Sequence, residues 1–358
     1  MFGAIPQQNQ AVPRHNPNKD AEVQTPPEID GISSISFNPA GNHFVATSWD
    51  NNSYVWEYSN TLQTIGKAQN AGTQPSLCSA WRPDGTAVFL GGCDNCVRLW
   101  DLGSNQTQQV AQHEAPVRTC AFINSHNMLA TGGWDKKLCY WDLRQPKAVH
   151  TQQLSDKVTC MDVKDEYMVL VTADRNVHIF NMSRPTELAR PSFTSSLKMQ
   201  VRVVKIFPDK KGFIAASIEG RVAVVYFNET PTAKNFTFKC HRDNNEAFSV
   251  NSLEFFPQTG TFLSAGSDGV INFWDKDTKQ RLKALEKCCY SVGNQVIPAS
   301  IACTAVDRTN TILAYAVSYD WSRGYSIYHP SVMKNHILLH QIKEEEIKPK
   351  PKPNTYRR

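Results

Sequence analysis

The sequence predicts an all-β protein closed into a seven-bladed propeller, and three observations predict it. First, a turn acid and an indole stand six residues apart four times: Asp50 with Trp56, Asp94 with Trp100, Asp135 with Trp141, and Asp268 with Trp274. Each pair follows a short apolar run closed by small residues, which is the composition of a strand, a tight turn and a returning strand. Second, weaker copies keep this frame at Asp174 with Phe180, at Glu219 with Val225, and at Asp320 behind the alternating run from Ala314 to Tyr319. Third, successive turn acids lie 44, 41, 39, 45, 49 and 52 residues apart, near the roughly 40 to 45 of a four-stranded blade. Seven turns predict seven blades of a WD-repeat β-propeller.

The elements follow in order. Residues 1–20 are rich in Asn, Gln and Pro and poor in large apolar side chains, so a disordered arm is expected there. Val23 to Ile29 carries Pro26 and Pro27, which suits an edge strand or an extended lead-in. The N-terminal segment is expected to supply the outer strand of the last blade, closing the ring and hiding an unpaired edge. Blade one runs from Ile32 to Tyr58 and blade two turns at Ala80 to Gly85; blade three begins after His113 and contains the run Gly132-Gly133-Trp134-Asp135. Blades four and five, Val158 to Asn181 and Val201 to Asn228, lack the indole but keep alternating strands. Blade seven is expected from Ala299–Val306, Ile312–Tyr319 and His336–Ile342, with an insertion at Asp320 to Tyr325 too long for a minimal hairpin. The propeller thus spans 21–342, and the Lys/Pro-rich basic tail over 343–358 should be extended and solvated.

Bulk properties narrow the chemistry. A chain of 358 residues usually holds two or three domains, but a closed array of repeats needs one ring. Of the net charge of +5, the tail supplies +3 and residues 1–30 supply −2. The remaining body is too weakly basic to neutralise a duplex without local clustering. Among ten cysteines, Cys120, Cys139 and Cys160 sit in strand-like runs and read as small buried hydrophobes. Cys93 and Cys96 form a CxxC without a second pair of suitable spacing, because Cys288 and Cys289 are adjacent; no metal site and no cofactor are expected. There is neither a signal peptide nor an apolar run of about 18 residues, so reduced thiols and no membrane insertion are expected.

Two sets of polar residues have the spacing of a buried tetrad in which each group satisfies the next: His113, Thr131, Asp135 and Trp141 in blade three, and His241, Ser264, Asp268 and Trp274 in blade six. The Ser-His-Asp set could be taken for a hydrolase triad. However, the acid-to-indole interval recurs in blades that lack the other members, as a scaffold requires and a single catalytic centre does not. With no phosphate loop, metal ligand set or acid pair outside the structural turns, no catalytic residues are assigned.

Three longer motifs, Ser217 to Val224, Phe236 to Arg242 and Ser318 to Gly324, resemble those of the Rae/Gle family of nuclear-pore mRNA export factors. The resemblance runs from about Val23 to Lys348. The first two motifs also occur in the sister Bub spindle-checkpoint propellers, whereas the third and the N-terminal extension are similar to the export factors. The resemblance implies a non-enzymatic scaffold in the nucleus, the nuclear envelope and pore complex, and the cytoplasm. It implies as partner an FG-repeat nucleoporin with an acidic GLEBS segment, and also single-stranded RNA in mRNA export and a part at mitotic spindles. Checkpoint kinases or ubiquitin-ligase components are further implied partners; an adaptor for a checkpoint kinase is the alternative function.

The turn after the second strand of each blade opens on one face of the ring, which places Trp49, Trp134, Lys136, Lys137, Arg175 and Arg221 on one surface. Exposed Trp and Arg are common interface anchors. A carboxylate there could pair bidentately with Arg221, and with Arg202 if it emerges nearby. In the family, two arginines of the fifth blade receive GLEBS glutamates, and Arg202 and Arg221 match them. A second cluster, Lys276, Lys279, Arg281 and Lys283 with Phe236 and Phe238, interleaves cations and aromatic faces as single-stranded RNA requires.

Overall fold

The computed structural model describes residues 13–231 and 233–350. Among these residues seven antiparallel sheets are arranged as the blades of a propeller, six built on four successive strands and the seventh on three successive strands joined by one from the N-terminus. Blade one, for example, comprises Ile32–Phe37, His43–Ser48, Asn52–Tyr58 and Thr64–Ala71. Blade four carries an additional short strand, Phe193–Thr194, beside its third. The first strand of each blade lies against the first strands of both neighbours, and that of blade seven, Ile301–Val306, returns to that of blade one.

Alternation explains the layering. Second strands are buried on both faces, as in Ala87–Gly92, Gly212–Ser217 and Ile312–Val317, and they are almost wholly small or apolar residues. The core is therefore not one mass but a series of clusters between adjacent blades; Phe207, Val222, Val224, Leu253 and Phe262, for instance, join blades five and six.

The ring is closed by its N-terminal segment. Ala21–Glu22 adds to blade seven with Ala21 opposite Leu339 and Glu22 opposite Leu338, and Val23 N–H donates to Ile337 O at 2.9 Å. The ladder stops at Val23, and Pro26 and Pro27, which have no N–H, cannot resume it.

Both ends of the ring differ from the sequence expectation. Residues 13–20 are tied down rather than free. Asn16 is buried, its Nδ2 donates to Asp20 O at 2.8 Å and its Oδ1 accepts from Asp20 N–H at 2.9 Å. Asn18 exchanges hydrogen bonds with the Glu286 backbone, and Cys289 N–H donates to Arg14 O. Polar side chains fix this segment through backbone groups, a route that a count of apolar residues does not register. At the other end Glu344–Ile347 forms one helical turn, and buried Glu346 accepts from His340 at 3.0 Å, so the body extends past residue 342. The rest of the expected arm, 1–12, and of the expected tail, 351–358, lies outside the described residues.

Candidate functional site

The turn face is built by one backbone device repeated seven times. After each turn acid the next residue adopts a left-handed conformation: Asn51, Asn95, Lys136, Arg175, Gly220, Gly269 and Trp321, with φ between 60° and 78°. Asn and Gly adopt this conformation readily, but for Lys136, Arg175 and Trp321 it costs roughly 1–2 kcal/mol each. Three large side chains are held at strained positions on one face, where strain commonly marks function. Gly220 stands where any Cβ would meet Cys240 O at 2.6 Å; it lets the turn close just ahead of Arg221.

Behind the turns, the tetrads set the loops. His113 Nδ1 lies 2.9 Å from Asp135 Oδ2 and its Nε2 lies 2.7 Å from Thr131 Oγ1, which also accepts from Trp141 Nε1 at 2.8 Å. In blade six His241 bridges Asp268 and Ser264 at 2.8 Å each, and Trp274 Nε1 donates to Ser264 Oγ at 2.8 Å. Gly133 is required by this approach, since a Cβ there would stand 2.6 Å from His113 Nδ1. Burial lowers the His113 imidazole from its ordinary value against the opposing pull of Asp135. Each serine or threonine hydroxyl is committed to an indole and an imidazole, so neither set offers a nucleophile.

A cavity of about 540 Å³ opens at the centre of the turn face. Its wall comes from a second repeated device. In every blade the pairing of the first two strands slips at one residue: Ser33, Leu77, Arg118, Thr159, Arg202, Asn251 and Ala302. All seven line the cavity, as bulges re-aim side chains at sheet ends. Arg118 and Arg202 thereby share one space, joined by exposed Lys157. Burial and the like charge of Arg118 lower the Arg202 guanidinium from its ordinary value, and none of these three cations forms an ion pair among the described residues. Asp320 at the rim is committed elsewhere: its carboxylate accepts from Ser267, Asn251 and Ser322. Exposed indoles surround the cavity, with Trp49, Trp134 and Trp321 at 49%, 40% and 51% exposure.

The outer cations of this face have partners of their own. Arg221 Nε lies 3.4 Å from Glu219 Oε2, Lys136 lies 3.4 Å from Asp156, and Lys137 lies 2.9 Å from Glu114. An Arg175 guanidinium N–H donates to Leu197 O at 3.1 Å. These are single contacts on exposed or half-buried side chains, the kind that hold weakly against solvent. Arg202 and Arg221 share one end of blade five, since Val201 opposes Ser217 and Ser217 opposes Arg221.

The second cluster divides. Phe236, Phe238, Lys276 and Lys279 line an outer groove of about 420 Å³ between blades five and six, with Lys239 and Trp274. Lys279 Nζ lies 4.4 Å over the Phe236 ring, and Phe238 and Trp274 are 4.8 Å apart. Arg281 and Lys283 lie outside the groove, on the outer strand Gln280–Ala284 of blade six. Lys276 corrects the expectation of a free cation: it is 7% exposed, donates to Asp277 at 2.7 Å and sits 5.1 Å over Phe207. Its ammonium is consumed by the loop it starts.

Residues 24–57, 69–101, 104–142 and 233–275 match the family described as WD domain, G-beta repeat. These spans hold the four acid-to-indole pairs of blades one, two, three and six. Over nearly its whole length the chain is similar to whole proteins. It is 50% identical over 347 residues to "Protein RAE1" of Arabidopsis thaliana, covering 96% of each chain. It is 40% identical over 341 residues to "Poly(A)+ RNA export protein" of Schizosaccharomyces pombe, covering 93% of this chain and 94% of the relative. To "mRNA export factor" of Xenopus tropicalis it is 41% identical over 370 residues, covering 98% and 95%.

The chain belongs to the Rae1/Gle2 family of mRNA export factors. On this Rae1/Gle2-family ring, sequence reasoning missed Arg118, Lys157 and Trp321 at the central mouth and Lys239 at the outer groove. A signal existed for Arg118: it stands second in its inner strand, the position Arg202 holds in blade five.

Proposed function

We propose that this ring is a non-enzymatic scaffold whose turn face grips an acidic GLEBS-type segment of an FG-repeat nucleoporin, and which acts in mRNA export at the nuclear pore. The observation that supports this most is the central mouth, where Arg118, Lys157 and Arg202 have no acid partner among the described residues inside a rim of three exposed indoles. Carboxylates entering it would meet guanidinium groups already stripped of much of their water, which strengthens each charged hydrogen bond. Arg221 extends this site outward, because its one long contact with Glu219 leaves its other nitrogens available for a bidentate pair. The same partner would place the protein in the nucleus and nuclear envelope, with a cytoplasmic pool.

The outer groove suits single-stranded RNA. Phe236 and Phe238 offer stacking faces, Lys239 and Lys279 offer phosphate contacts, and the tetrad of blade six anchors Trp274 beneath them.

Binding of a GLEBS-type acidic peptide to the purified protein tests the first reading. Replacing Arg202 and Arg221 with Glu should weaken it by more than about a hundredfold while leaving the thermal midpoint near that of the unsubstituted protein. Unchanged affinity removes both residues from the site. Capture from cell extract distinguishes the alternative: a checkpoint kinase recovered without a nucleoporin would make the ring a checkpoint adaptor.

A further inference from the structure

His15 and Glu22, seven residues apart, converge on the outer edge of blade seven with His336, which lies 314 positions beyond Glu22. His336 Nδ1 lies 2.6 Å from Glu22 Oε1, His15 Nε2 lies 3.4 Å from Glu22 Oε2, and the ligand atoms of all three residues fall within 4.8 Å of one another. The two imidazole rings are stacked, with centroids 3.8 Å apart and planes inclined by 7°. Local structure imposes this meeting. Asn16 closes a turn onto Asp20 that folds the preceding residue back over the closing strand. The pairing of Glu22 with Leu338 makes Glu22 and His336 diagonal neighbours on one face of the sheet.

We propose that these three side chains form a zinc(II) site that clips the N-terminal segment to the ring. Zinc–nitrogen bonds of about 2.0–2.1 Å in a tetrahedron separate the donors by about 3.3–3.5 Å. To reach that separation the His336–Glu22 pair at 2.6 Å must open, wider pairs within the 4.8 Å spread must close, and the stacked rings must turn so that both lone pairs converge on the ion. Two imidazoles and one carboxylate suit zinc, whereas calcium and magnesium take shells of oxygen. All three side chains retain exposure, at 22%, 39% and 17% for His15, Glu22 and His336, so an ion can enter and water can complete the tetrahedron. The ion would join three stretches of chain: the segment before the closing strand, the closing strand itself, and the strand that it covers. Zinc would then stabilise closure of the ring, since the unfolded chain holds no such arrangement.

Calorimetric titration of the full, thiol-reduced chain with zinc chloride after chelator treatment tests the site, with calcium chloride as control. The half-exposed Cys93, paired in sequence with Cys96, is the competing soft ligand. One equivalent of zinc should bind to the parent and to Cys93→Ser, and calcium should not. His15→Ala and Glu22→Gln should each weaken zinc by at least about tenfold, a loss that outer-sphere partners alone can cause. Zinc should raise the unfolding temperature of the parent and leave that of His15→Ala unmoved; the zinc-free unfolding temperature of each variant reports whether it folds. Absence of zinc binding by the parent overturns the proposal. So does binding that survives His15→Ala and Glu22→Gln and is lost in Cys93→Ser.

Discussion

Lys136 occupies a left-handed turn position that asparagine fills in blades one and two, as Asn51 and Asn95. The cost of that conformation is tolerated for the ammonium it projects onto the turn face. Lys136→Asn should therefore raise stability by up to about 1 kcal/mol in urea unfolding and weaken the acidic peptide. A variant that loses both stability and binding would show the strain to be unconnected with the site. The tetrads behave oppositely, because their members are buried and mutually dependent. Thr131→Val removes the oxygen that serves both His113 Nε2 and Trp141 Nε1. The Trp141 N–H loses its acceptor and His113 Nε2, whose ring proton sits on Nδ1 toward Asp135, loses its donor, so unfolding free energy should fall by about 1–3 kcal/mol, with peptide affinity little changed.

At the scale of elements, closure of blade seven depends on His340. Its Nδ1 meets Asp20 Oδ1 at 2.7 Å and its Nε2 meets Glu346 Oε2 at 3.0 Å, so one imidazolium ties the closing segment and the C-terminal turn to one strand. Tyr315 O–H also donates to Asp20 at 2.6 Å, and Lys343 N–H donates to Glu346 at 3.0 Å. Burial would lower His340, but its hydrogen bonds to Asp20 and Glu346 win and push it up to about 9 from the ordinary 6.5. A folded value above the unfolded one gives stability that is complete below 6.5 and disappears as pH rises through about 9, on the order of 3 kcal/mol in all. Urea unfolding at about pH 6 and about pH 10 should show this loss, and His340→Gln should remove most of the difference. Deleting residues 1–22 should go further. It strips the partner from the strand His336–Gln341, and light scattering should detect association through that freed edge.

Over the whole molecule, the seven sheets form one frame with two separate cationic surfaces. One is the central mouth, where the charges are enclosed; the other is the outer groove, where they are interleaved with rings. Salt should separate them. Single-strand binding at the groove should weaken with a logarithmic slope of roughly 0.7 per phosphate contact. Lys279→Ala with Arg281→Ala should flatten that slope, and an unaltered slope would count against the groove. Because Arg281 lies outside the groove and donates to Asn272 at 3.4 Å, most of the change should come from Lys279.

The recurring turn acid, followed by an indole in four blades and by weaker copies of the frame in three, was enough to place the seven turns, since a local turn and the strand after it are specified within a dozen residues. The same locality made Trp49, Trp134 and Arg221 readable as one face, and misread Lys276, whose partners Asp277 and Phe207 come from its own loop and from another blade. Sequence alone thus determined the blade count, the direction each turn faces and the strand that closes the ring. Tertiary structure decided which charges remain free. Arg118 and Arg202 are 84 positions apart in the chain, and only closure of the ring brings their bulges around one cavity. The physical reason is that turn geometry depends on neighbours in sequence, whereas desolvation and charge pairing depend on neighbours in space.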